Sequence, residues 1–189
     1  MNEMMQTTQY LGEIIKELNR TADFIADEEA EKLVNGILEA KKIFVAGAGR
    51  SGFMSKSFAM RMMHMGLEAY VVGETITPSL EQDDILIIGS GSGETRSLVS
   101  MAEKAKSLGA TVALVTIFPE STIGQLADIT VKLPGSPKDQ SDNGYKTIQP
   151  MGSLFEQALL LFYDAIILRC MEKKGLDSTT MFKRHANLE

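Results

Sequence analysis

The sequence predicts an α/β fold: a three-layer sandwich around a five-stranded parallel sheet in the flavodoxin-like order 2-1-3-4-5, with extra helices at the N-terminus. Three observations carry this reading. Short apolar runs alternate with segments of helical periodicity, as in β-α units joined by right-handed crossovers. Residues 85–88 are apolar without alternation, as in a parallel strand buried on both faces. Two glycine-rich stretches, 47–52 and 89–95, each follow such a run, which suits loops at the carboxyl ends of neighbouring strands.

Residues 1–40 read as two amphipathic helices. The first shows Leu11, Ile14, Ile15, Leu18, Ala22 and Ile25 at three- and four-residue spacing. The second starts near Asp27 and turns Ala30, Leu33, Val34, Ile37 and Leu38 inward. A doubly wound sheet needs no such pair, so the surplus is expected to serve packing or subunit contact. Strands are then expected at 42–46, 69–72, 85–88, 112–117 and 129–133, with helices after the first and third and a short one ending near Ala127. Residues 134–150 are the longest irregular segment and are expected to form a lid. Residues 151–175 form a helix apolar almost all round, from Leu154 to Leu168, which must be covered on more than one side. Gly175 ends it, and 176–189 is a polar tail containing His185.

Composition narrows the function. A chain of 189 residues with 44% hydrophobic content suits one domain. Net charge is -6 and no Lys/Arg run forms a stripe, so no nucleic-acid partner is expected. The single cysteine, Cys170, sits in an apolar run and suits a reducing, cytoplasmic setting. Residues 1–10 lack the apolar core of a secretion signal, and no apolar run reaches the length of a membrane span. Two distant histidines and one cysteine make no zinc-ligand cluster.

The chemistry concentrates in 84–97. After the buried strand come Gly89, Gly91 and Gly93 alternating with Ser90 and Ser92, and then Glu94 and Thr95 open a helical pattern. Such a loop lets backbone N–H groups approach a phosphate at the positive end of a helix, with hydroxyls as further donors. The earlier Gly47-x-Gly49-x-x-Gly52 matches a dinucleotide fingerprint, and Glu74 stands roughly where a ribose-binding acid would. Against that reading, little chain remains for a substrate domain, and the second loop has no place in a dinucleotide fold. In strand order 2-1-3-4-5 the two loops flank one crevice, with Arg50 and Ser51 facing Ser90, Ser92 and Thr95: a pocket for one small phosphorylated molecule.

A strand ending in Ser-x-Ser-Gly-Glu-Thr and facing an earlier glycine loop resembles the SIS domain, the sugar isomerase fold. Gly47-Ala-Gly-Arg-Ser-Gly52, Phe58-Ala-Met-Arg-Met-Met-His-Met-Gly66, Pro134-Gly-Ser-Pro-Lys-Asp-Gln140, Gln149-Pro-Met-Gly-Ser-Leu-Phe-Glu156 and His185-Ala-Asn-Leu-Glu189 extend the resemblance to the 6-phospho-3-hexuloisomerase family over nearly the whole chain. The resemblance implies a single SIS domain over 1–189. It implies conversion of D-arabino-hex-3-ulose 6-phosphate to D-fructose 6-phosphate through an enediol, without cofactor, in the ribulose monophosphate pathway that fixes or detoxifies formaldehyde. The substrate would come from a hexulose-6-phosphate synthase. The surplus amphipathic helix and the all-round apolar helix at 154–168 predict a homo-oligomer, a dimer or a tetramer built from dimers.

By the same resemblance Glu156 is the catalytic base and His64 a group for proton transfer at oxygen, from its own or a neighbouring subunit. Arg50, Ser51, Ser90, Gly91, Ser92, Gly93, Glu94, Thr95 and His185 are expected to bind substrate. Residue chemistry alone leaves alternatives. Ser153-x-x-Glu156 is also a capping-box pattern, and the polar face of Ser57, Arg61 and His64 is also what a solvated helix shows. SIS folds also act as sugar-phosphate sensors, usually joined to a DNA-binding domain that is not visible here, or as isomerases of other sugar phosphates.

Overall fold

The computed structural model describes residues 5–136 and 146–188. In chain order the described elements are α1 (Thr7–Ala22), α2 (Asp27–Glu39), β1 (Ile43–Gly47), α3 (Gly49–His64), β2 (Ala69–Val71), β3 (Ile85–Gly89), α4 (Arg96–Ser107), β4 (Thr111–Thr116), α5 (Thr122–Leu126), β5 (Ile129–Lys132), α6 (Ser153–Lys174) and α7 (Ser178–Phe182). The five strands are all parallel, in the order β2-β1-β3-β4-β5, as the sequence predicts.

Each strand residue chooses a face by parity. Ile43, Val45, Ile85, Ile87, Ala113 and Val115 meet α2, α3 and α6 on one face. Phe44, Ala46, Leu86, Ile88, Val112 and Leu114 meet α4 and α5 on the other. All five residues of β3 are buried, which is why its run carries no alternation. Phe58 of α3 stacks on Tyr163 of α6 with ring centroids 4.1 Å apart and planes 1° from parallel. That contact fixes the helix after the first glycine loop against the helix that carries Glu156.

The turn from β1 into α3 is tight. A Cβ at Gly47 would stand 2.9 Å from both Cα and N of Gly52, and a Cβ at Gly52 would stand 2.7 Å from the Gly47 carbonyl oxygen. The fingerprint glycines are there because two stretches of backbone touch. Glu74, the ribose acid of the dinucleotide reading, is instead bound 2.7 Å from Lys56 Nζ.

Two helices depart from expectation. The stripe predicted for α1 is buried only in part: Leu18 and Ile25 pack against the core, while Leu11 and Ile15 are each 56% exposed. The inward face of α1, which lies against α6, is rotated to take in Glu17 and Thr21, both buried. Within the predicted polar tail the chain forms α7, whose N-cap Asp177 accepts from Thr180 N at 2.7 Å. Of the expected lid at 134–150, residues 137–145 lie outside the described residues. The all-round apolar helix forms as predicted, ends at Gly175 in the left-handed conformation, and leaves Leu161 and Leu168 more than half exposed. Among the described residues no helix is long and apolar enough to cross a membrane.

Candidate functional site

β1 and β3 are paired in register so that Gly47 stands opposite Gly89. Both glycine loops therefore leave the sheet side by side at the point where strand order reverses. Between them, and under the start of α6, lies a cleft of about 660 Å³. Ser51, Ser90, Gly91, Ser92, Glu94, Thr95 and Glu156 line it, as the sequence predicts, together with Phe155, Ser121 and Ser136.

The second loop is shaped by its own hydroxyls. Ser90 Oγ accepts from Gly93 N at 3.1 Å, and Ser92 Oγ accepts from Glu94 N at 3.2 Å. Gly93 has φ of 63°, and a Cβ there would collide with the Ser121 hydroxyl, so only glycine fits. Thr95 caps α4 without a side-chain hydrogen bond. The N–H groups of Gly91, Ser92, Thr95, Arg96 and Ser97 have no protein acceptor among the described residues. A helix N-terminus with unpaired donors, facing a cleft rimmed by hydroxyls, is a site for a phosphate or similar anion.

Glu94 would repel such an anion if its charge were free. Its carboxylate instead accepts from Thr122 N at 2.7 Å and Thr122 Oγ1 at 2.8 Å. The Thr122 backbone and side-chain hydrogen bonds bring its pKa below the usual value. Glu94 therefore braces the loop against the first turn of α5 while lining the cleft.

At the opposite wall Arg50 reaches across to α6. Its Nε is 3.2 Å from Glu156 Oε2, and its Nη1 donates to Ser153 Oγ at 3.1 Å. Arg50 is about half exposed, whereas Glu156 is buried. The capping-box alternative does not form. The N-cap of α6 is Gly152, without a side-chain cap, and Glu156 N bonds to the Gly152 carbonyl at 3.0 Å. Ser153 serves Arg50, and the Glu156 carboxylate is left facing the cleft. A carboxylate and a guanidinium at one end of a pocket, with an anion cradle at the other, suit proton transfer on a small phosphorylated substrate.

His64 and His185 are not in this cleft. Their rings lie together, 5.5 Å between centroids, in a second cleft of about 440 Å³ that includes Arg61, Asp164 and Phe182. Burial, and then the charges of Arg61 and His185, push the His64 pKa down, which favours the neutral ring. The structure thus joins Arg50, Ser51 and the 90–95 loop to Glu156 and sets the two histidines apart. Two cleft serines, Ser121 and Ser136, and Ser153 beside Arg50 are not expected at the site from the sequence. Ser121 is legible as the cap of α5, whose Oγ accepts from Gly124 N. Ser136 carries no signal beyond lying in a loop, and Ser153 reads only as a cap.

A model of the SIS domain family matches residues 36–161. A 3-hexulose-6-phosphate isomerase of Bacillus subtilis is 64% identical over 185 residues, covering 98% of this chain and all of the relative. A 3-hexulose-6-phosphate isomerase of Methanocaldococcus jannaschii is 40% identical, covering 84% of this chain and 83% of its own. A crystal structure from Methanococcus jannaschii, from which the function of a 3-hexulose-6-phosphate isomerase was inferred, superposes with a TM-score of 0.83 at 36% identity and covers 96% of this chain and 99% of that one.

The anion cradle predicts the behaviour of Ser92→Ala. Loss of one charge-assisted hydrogen bond weakens phosphate binding by roughly 1.5–3 kcal/mol, or about ten- to a hundredfold. Titration with inorganic phosphate, followed by the rise in melting temperature, checks this; equal protection of wild type and variant contradicts it.

Proposed function

The chain belongs to the SIS domain family, and from that premise we propose that it is a 3-hexulose-6-phosphate isomerase, interconverting D-arabino-hex-3-ulose 6-phosphate and D-fructose 6-phosphate. The observation that carries the reading is the placement of the buried Glu156 carboxylate in the cleft that also holds the Ser90–Thr95 donors. Phosphate bound at Ser90, Ser92, Thr95 and the N-terminus of α4 directs the carbon chain toward Glu156. Glu156 takes the proton from C2; the C–H electrons form the C2–C3 double bond, and the C3 carbonyl becomes an enediolate oxygen. The O2 proton passes to O3, the carbonyl re-forms at C2, and Glu156 returns its proton to C3. Arg50, beside Glu156, supplies positive charge for the enediolate. Ser51 and the Gly91–Gly93 backbone complete the binding wall.

His64 and His185 lie in the second cleft of their own chain, so a role in oxygen proton transfer or substrate closure requires the cleft of a neighbouring copy. We read the protein as a dimer, or a tetramer built from dimers. Leu11 and Ile15 on α1, and Leu161 and Leu168 on α6, are apolar and more than half exposed on helices that pack together. A cytoplasmic location, and a hexulose-6-phosphate synthase as the source of substrate, complete the reading.

Three experiments test it. Glu156→Gln keeps the side-chain size and removes the base, so kcat should fall about 10²–10⁴-fold while sugar-phosphate binding and melting temperature hold. Wild type with fructose 6-phosphate in D₂O should wash deuterium into C3 and leave C1 unlabelled. Near-normal turnover by the variant, or label at C1 alone, contradicts the mechanism. Light scattering at micromolar concentration should give at least twice the 20.7 kDa chain mass, and a monomer contradicts the assembly.

A further inference from the structure

One buried carboxylate with a full set of partners lies outside the cleft. Glu17, in the middle of α1, is buried and accepts three hydrogen bonds from consecutive residues of the segment leading to α6. Thr147 Oγ1 donates at 2.6 Å and Gln149 Nε2 at 2.9 Å to Oε2, and Ile148 N donates at 2.8 Å to Oε1. Thr147 Oγ1 in turn accepts from Gln149 N at 3.0 Å, which closes the network. Helix α1 therefore buries a charge beside the part of its apolar stripe that packs inward, and that charge holds 147–149.

The clamp sits just ahead of a strained residue and the start of α6. Met151 has φ of 55°, the one positive φ of a non-glycine residue among the described residues. A side chain in that region is strained and persists only where its surroundings over-determine it. The surroundings here are Glu17 on one side and the Arg50–Ser153–Glu156 contacts on the other. Gly152 then caps α6, and Glu156 lies one turn in. Each residue of a helix turns its side chain by about 100°, so a slip of one residue at the start of α6 swings the Glu156 carboxylate out of the cleft.

We infer that Glu17 is a positioning residue: its carboxylate fixes 147–149, forces Met151 into the left-handed conformation, and so sets where α6 begins and where Glu156 points. This rests on the catalytic reading of Glu156. The clamp is charged under ordinary conditions. Burial opposes its ionisation, but the hydrogen bonds of Thr147, Gln149 and Ile148, with Arg20 nearby, outweigh burial and bring the pKa below the usual carboxylate value. A depressed folded-state value means that the contribution is present at neutral and mildly acidic pH and is lost only as pH falls through that depressed value.

The test uses the full chain and two readouts. Glu17→Gln keeps the shape but sets an amide N–H₂ against donors from three residues, so one of them loses its acceptor. The expected result is faster amide exchange at Ile148 and a kcat lower by about tenfold or more, with KM within about twofold because the phosphate cradle is untouched. In a Glu156→Gln background the same change should lower the residual kcat no further, since both act through one group. Thr147→Val, which removes a single donor without altering α1, should shift both readouts in the same direction by less. Accelerated exchange at Ile148 with unchanged kcat would make Glu17 an anchor of the fold only. An equal fractional loss in both backgrounds would also overturn the inference. Wild-type turnover by Glu156→Gln overturns the catalytic assignment itself, whereas full activity in Glu17→Gln beside a crippled Glu156→Gln overturns only the role of Glu17.

Discussion

The parallel pairing of β1 with β3, Gly47 opposite Gly89, is the constraint on which the rest depends. Parallel strands end on the same side of a sheet, so two neighbours bring their following loops together without further design. Because the crossover from β1 goes to one edge and the chain returns beyond it at β3, no helix fills the gap between the loops. The first glycines are spent on close approach: backbone touches backbone at Gly47 and Gly52. The second loop uses its serines twice, holding its own backbone in shape and lining the cleft.

The chemistry is completed from a distant part of the chain. Residues of α6 follow the sheet in sequence, and α6 packs on α3 through the Phe58–Tyr163 stack. That packing brings Arg50, in the first turn of α3, to Ser153 and Glu156, in the first turn and start of the second turn of α6. A buried carboxylate beside a half-exposed guanidinium is a weak source of stability, since the exposed partner is screened by solvent. It sets a carboxylate and a positive charge side by side, the pairing that the proposed proton transfer and enediolate would use. The positive-φ Met151 just before α6 fits the tendency of such backbone to collect around functional sites.

Much of this is legible in the residues. Strand order follows from the alternation of elements and the two loops, and the cleft follows from the order. The Ser90–Thr95 loop is readable because glycine, serine and a helix start together have few other uses. Periodicity is half right at α1: Leu18 packs inward, but the buried face is rotated toward Glu17 and Thr21 and leaves Leu11 and Ile15 outside. Glu17 is invisible because its partners are Thr147, Ile148 and Gln149, joined to it only by the fold. Glu94 and Ser153 mislead in the same way: each fits a local pattern, yet each is bound by a residue from another element. His64 and His185 are expected at the substrate, and the single chain instead gathers them in a second cleft.

The most direct test of the central claim is a crystal structure of the Glu156→Gln variant with fructose 6-phosphate bound. The phosphate should sit at the N-terminus of α4, in contact with Ser90, Ser92 and Thr95, with C2 and C3 against residue 156. A phosphate seated beside Arg61, His64 and His185 of the same chain, or a sugar whose C2 and C3 face away from α6, would contradict it.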